Sequence, residues 1–123
     1  MRQGLPEEIE AEVCRLGGLR GLTAALPPVR ELGRLAALHG ALSDATRLRI
    51  LFALRRGELC VCVLKAVSRC PDTRLSYHLS VLRRAGLVSS RRDRSFVRYS
   101  LTSPGRRVAE GLVRELDGGP AER

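Results

Sequence analysis

The chain has 123 residues, 44% of them hydrophobic, and carries a net charge of +9 with a pI near 10.9. That is material for one modest core, so one principal domain is expected, and the charge points to a polyanionic partner. Lys65 is the only lysine among 22 basic residues, and with no Trp, two Tyr and two Phe the chain lacks stacking platforms for single-stranded bases, which favours duplex DNA.

In chain order, residues 1–28 read as an appended arm. Its short amphipathic stretch, PEEIEAEVCRLGGL, runs into Gly17, Gly18 and Gly21 and stops at Pro27 and Pro28. From Val29 the pattern turns helical, with apolar residues at 32, 35, 38 and 42. Ser43 or Asp44 can cap the next helix, ATRLRILFALRR, which ends at Gly57. A third helix is expected from about Glu58 to Val67, with Leu59, Val63, Ala66 and Val67 as its buried arc. After a break at SRCPD comes a fourth, TRLSYHLSVLRRAG, closed by Gly86. Two β-prone runs follow, Leu87 to Ser90 and Phe96 to Leu101, joined by the charged turn RRDR. A last helix, roughly Pro104 to Leu116, has Leu112, Val113 and Leu116 as its apolar side. The expected domains are therefore an arm with a short helix at 1–28, one principal domain at 29–117, which the charge marks for DNA binding, and a tail at 118–123.

Two short helices with a tight break and then a basic hairpin give the order of a winged helix-turn-helix, mainly α with a β-hairpin wing. The fourth helix separates cleanly into two faces. Leu75, Leu79 and Leu82, with His78, turn inward. Thr73, Arg74, Ser76, Tyr77, Ser80 and Arg84 turn outward as a major-groove face, Arg74 or Tyr77 toward base edges and the hydroxyls toward phosphates. In the wing, Arg91, Arg92, Arg94 and Arg98 have the density expected along phosphates or in a minor groove. A solvated basic surface is the plainer reading of either set.

Cys60 and Cys62 stand one residue apart in ELCVCVL. On a straight helix they would lie about 200° apart, flanking the buried arc, where each could simply pack. One ion could be held by both only if the first turn unwinds or is irregular.

The stretches LSDATRLRILFAL, ELCVCVL, LSYHLSVLRRAGLV and FVRYSLT, in that order, resemble the ArsR/SmtB family of metal-responsive repressors. The resemblance covers about Leu32 to Leu116. It implies a homodimer with the first and last helices of the domain at the interface, and paired recognition helices reading an inverted repeat in double-stranded operator DNA. Repression of resistance genes would end when an inducer binds. The family's third-helix box is usually ELCVCDL, and its cysteines are the thiophilic ligands of the arsenic and the cadmium or lead branches; Cys60 and Cys62 occupy those positions.

Two thiolates rarely suffice, so a third donor is expected. Cys14, on the arm, has no packing reason to be there and is the favoured one, since cadmium/lead-type members bring N-terminal cysteines to that pair. Cys70 is possible, although the family usually packs an apolar residue there. Three sulfurs suit As(III) or Sb(III); Cd(II), Pb(II) or Zn(II) would prefer a fourth donor, Cys70 or water. The last helix, PGRRVAEGLVREL, lacks the His and carboxylate spacing of zinc-, cobalt- or nickel-type members. Departures from the family pattern are Val63 for the usual Asp, Arg69 for Gly, and Pro71 for a Ser or Thr cap.

Two alternatives share the fold. A thiol redox sensor would need Cys14 or Cys70 as partner, because residues i and i+2 of a helix do not meet disulfide geometry. A docking module would bind no DNA. Nothing makes a case for an enzyme: there is no Ser/His/Asp set, phosphate loop or pair of pocket acids. Four cysteines are few for a disulfide scaffold, and no apolar run approaches the ~20 residues of a membrane span, so a reducing cytoplasm, free thiols and no membrane are expected.

Overall fold

The computed structural model describes residues 4–118, so the expected tail lies, apart from Gly118, outside the described residues. Contacts group the chain into two units, one through Ala36 and one from Ala37. The first holds α1 (Glu7–Arg15), α2 (Gly18–Ala24) and the start of α3 (Val29–Ala41). Glu7, Glu8 and Glu10 crowd the first turn of α1 and Arg15 its last, each complementing the charge of that helix end. The arm has a second helix where one was expected. Gly17, at φ 99, breaks the chain, but Gly18 and Gly21 continue into α2, because glycine weakens a helix without forbidding it. Neither α1 nor α2 buries a residue.

The second unit carries the core. It contains the end of α3, then α4 (Ala45–Leu54), β1 (Leu59–Cys60), α5 (Val61–Ser68), α6 (Asp72–Arg84), β2 (Val88–Asp93), β3 (Phe96–Leu101) and α7 (Ser103–Gly118). Asp44 is the cap of α4, its Oδ1 accepting from the amides of Thr46 (2.8 Å) and Arg47 (3.2 Å). Ile50, Leu51 and Leu54 of α4, Leu64 of α5, and Leu75 and Leu82 of α6 are almost completely buried. Side chains of this size contribute roughly 1.5–3 kcal/mol each when fully buried, which binds α5 and α6 to α4 as one block.

The sheet is antiparallel with order β1-β3-β2. Two expectations change here. The hairpin is longer: β2 runs on through Arg91, Arg92 and Asp93, and the turn is only Arg94 and Ser95, with Arg94 at φ 62. The inward stripe of α7 is also displaced, to Gly105 and Ala109, while Leu112 and Val113 are half-buried and Leu116 is 68% exposed. Gly105 sets that stripe, since a Cβ there would stand 1.9 Å from the carbonyl oxygen of Leu87. Thr102 locks the same corner, its Oγ1 donating to Gly86 O at 2.6 Å and accepting from the Gly105 amide at 3.0 Å.

Candidate functional site

The stretch expected as a third helix from Glu58 is a strand and then a helix. Leu59 pairs with Tyr99 and Cys60 with Arg98, so residues 59–60 add a short third strand to the wing. Cys60, at φ −67 and ψ 150, is the cap of α5, and its Sγ accepts from the Cys62 amide at 3.3 Å. Starting the helix at Val61 turns its face: Leu64 and Ser68 point inward, whereas Val63 and Ala66, expected in the buried arc, are exposed. The 200° separation of the cysteines disappears with it. Cys60 Sγ and Cys62 Sγ lie 2.7 Å apart, Cys60 buried and Cys62 exposed.

The short contact splits the two thiols electrostatically. The hydrogen bond from the Cys62 thiol, then that from its backbone N–H, and more weakly the charge of Arg98, hold Cys60 below the ordinary cysteine range. The same contact, followed by burial, pushes Cys62 up. The pair therefore offers one sulfur biased toward thiolate and one biased toward thiol, at the N-terminus of a helix. Two soft donors converging from a strand end and a first helical turn fit a thiophilic ion.

The other two cysteines lie elsewhere. Cys14 is exposed on α1, in the first unit. Cys70 is half-buried against the core, with its Sγ 3.4 Å from Ser68 Oγ. It follows the C-terminal end of α5, about 12 Å of helix away from the Cys60 cap. Among the described residues no three His, Cys, Asp or Glu side chains form a metal-holding group.

The outward face of α6 stands clear of the core: Thr73, Arg74, Ser76, Tyr77 and Arg84 are exposed and Ser80 is half-buried. Arg84 reaches back to Ser80 Oγ at 2.8 Å. Lys65 and Asp72, 2.9 Å apart, tie α5 to the first turn of α6. In the wing the expected arginines divide. Arg92 and Arg94 are exposed, but Arg91 makes a bidentate pair with Glu58, both bonds at 2.8 Å, and Arg98 is bonded to Asp93 at 3.0 Å. The Arg91 bond, opposed by desolvation, holds the Glu58 carboxyl below its usual range.

Sequence reasoning missed Glu58 and Arg47. Arg47 is buried, its Nε donating to Ala41 O at 2.7 Å and its Nη1 lying 3.0 Å from His78 Nδ1. A guanidinium only donates, so Nδ1 of His78 is the acceptor and its ring proton belongs on Nε2. Asp44 Oδ1 is 4.0 Å from the same Nδ1. Burial works against the Asp44 carboxylate, but the amides of Arg47 and Thr46 and the charge of Arg47 outweigh it and lower its pKa. The signal for Arg47 is periodicity: it falls in line with Ile50, Leu51 and Leu54 on the inward stripe of α4. These groups fasten the middle of α6 to the end of α3 and the start of α4.

Residues 44–90 match the family described as bacterial regulatory protein, arsR family. The chain is 43% identical over 68 residues to a transcriptional repressor SmtB homolog of Synechocystis, covering 55% of this chain and 52% of that protein. It is 38% identical over 74 residues to the arsenic resistance transcriptional regulator ArsR1 of Pseudomonas putida, covering 59% and 58%. The chain thus spans little more than half the length of these two curated relatives. Among solved structures, HlyU from Vibrio cholerae superposes with a TM-score of 0.65 at 32% identity, covering 71% of this chain and 96% of that one. These relatives are regulators with the winged helix-turn-helix fold rather than enzymes.

Proposed function

The chain belongs to the arsR family of bacterial regulatory proteins, and on that footing we propose that it is a homodimeric transcriptional repressor whose release from DNA is controlled by a thiophilic ion. The double-stranded operator, an inverted repeat, is read by paired α6 helices and flanked by the wings. The single observation that carries this reading is the meeting of two free sulfurs at 2.7 Å at the start of α5, beside a helix whose outer face is hydroxyl, phenol and guanidinium.

Soft sulfur donors select thiophilic ions, and the likeness to an arsenic resistance regulator favours As(III) or Sb(III) over Cd(II), Pb(II) or Zn(II). In this reading Cys60 and Cys62 are ligands and exposed Cys14 supplies the third sulfur. When bound, such an ion supplies bonds to the sulfurs in place of their hydrogen bonds. The rest is done by the chain. Cys60 Sγ stops accepting the Cys62 amide, which uncaps α5. Leu64 and the Lys65–Asp72 pair pass a shift of α5 to α6, and the pairing of Cys60 with Arg98 passes a shift of β1 to the wing. Lowering DNA affinity by a factor of 10² to 10³ needs only ~3–4 kcal/mol of such coupling. A second copy would cover the open cleft of about 410 Å³ lined by Leu38, Leu42, Leu48, Val108 and Leu112.

Fluorescence anisotropy of the reduced protein on its own upstream promoter duplex, titrated with arsenite, antimonite, cadmium, lead and zinc, tests the reading. Arsenite is expected to release wild-type protein, while Cys60→Ser and Cys62→Ser bind DNA normally and stay bound. Release by cadmium or lead alone would reassign the ion. Tight binding indifferent to every ion would remove the sensor reading.

A further inference from the structure

We propose that Cys60 and Cys62 also form a reversible intrachain disulfide on meeting a hydroperoxide, so that the pair is a two-electron oxidation site. This goes beyond the ion-sensing reading and does not depend on it.

In a continuous helix the two Cβ vectors would diverge by about 200°, out of reach of a disulfide. The structure removes that obstacle and with it the need for Cys14 or Cys70 as partner. Cys60 lies in the extended backbone of β1, Cys62 in the first turn of α5, and their Sγ atoms are 2.7 Å apart. Closing to the S–S bond length needs an approach of only about 0.7 Å. Cys62 is exposed and open to a small oxidant, whereas Cys60 is buried behind it. This is the arrangement of an attacking thiol with a resolving thiol already in contact.

The chemistry balances without a further reagent. The Cys62 thiol passes its proton to the Cys60 sulfur across their 2.7 Å contact, and the exposed sulfur attacks one oxygen of hydrogen peroxide; the O–O bond breaks, and the departing hydroxide takes from solvent the proton that Cys60 had released, leaving as water. Cys62 is then a sulfenic acid. The Cys60 sulfur attacks the Cys62 sulfur, the S–O bond breaks, and hydroxide leaves with the Cys60 proton as a second water. Two thiols lose two electrons and two protons, and the peroxide is reduced to two waters. A thiol reductant reverses the bond by exchange.

The test is mass mapping of wild-type protein treated with hydrogen peroxide, alkylated and cut with trypsin. Cys60 and Cys62 share the tryptic peptide Gly57 to Lys65, while Cys14 and Cys70 fall on others. The expected product is that peptide lighter by two hydrogens, unalkylated, and returned to the doubly alkylated form by dithiothreitol. Alkylation of both cysteines after peroxide, sulfinic acid at Cys62, or a bond joining this peptide to another would each overturn the inference. Because no ion enters the measurement, its failure is separate from a failure of arsenite to release DNA.

Discussion

Arg69 stands at φ 60 between α5 and α6, in a left-handed conformation that costs an L-residue about 1–2 kcal/mol. The turn needs that conformation because the Arg69 amide closes onto Lys65 O at 3.0 Å and the chain must reverse at once into α6. Glycine keeps the amide and removes the Cβ penalty, at some entropic loss in the unfolded chain. Arg69→Gly is therefore expected to raise stability by up to about 1 kcal/mol, read as a higher urea midpoint at unchanged slope. The oddity of arginine here is visible through the family resemblance, and a cap at Ser43 or Asp44 in the sequence itself. The role of Cys60 is not. Its side chain caps α5 through sulfur, a use that no spacing rule marks, and periodicity alone extended the helix back over it.

At the scale of elements, β1 is two residues long, yet it decides what the wing is attached to. It places Glu58 against Arg91, and with Arg98 bonded to Asp93 of β2, half of the wing's expected phosphate contacts are committed within the chain. The Glu58 carboxyl has a lowered pKa in the folded state. A depressed carboxylate contributes stability above its unfolded pKa, and loses it as pH falls through the folded value. Glu58→Gln is thus expected to be slightly less stable than wild type at neutral pH, with the gap closing in acid below the usual carboxylate range. Denaturation midpoints across pH 2–7 check this; a gap that persists at the acid end would show that the pair acts through shape rather than charge. The two hairpin runs were readable as β-prone stretches, but β1, expected as helix, was not, nor was the extension of β2 through RRD, since arginines in a row carry no alternation.

At the scale of the whole molecule, the charge of +9 gives an attraction to duplex DNA that salt should screen steeply. The structure divides the arginines that produce it. Arg92 and Arg94 project freely from the wing, whereas Arg91 and Arg98 are bonded to acids. Removing Arg92 or Arg94 should lower the slope of log affinity against log salt by about 1, and removing Arg91 or Arg98 by clearly less. Anisotropy at several salt concentrations measures both. Equal losses for all four would mean that the acid partners let go on DNA.

What the sequence determined by itself was the second unit's plan: the helix order, the inward leucines of α6 and the hairpin. These follow from apolar periodicity and turn chemistry, which act over a few neighbouring residues. Tertiary structure decided the rest. The β1 pairing with β3, the Arg47–His78–Asp44 contact between α4 and α6, and the approach of Gly105 to Leu87 each join residues distant in the chain. Pairing with β3 holds Leu59 and Cys60 extended, and that hydrogen bonding, absent from any local pattern, brings the two sulfurs together.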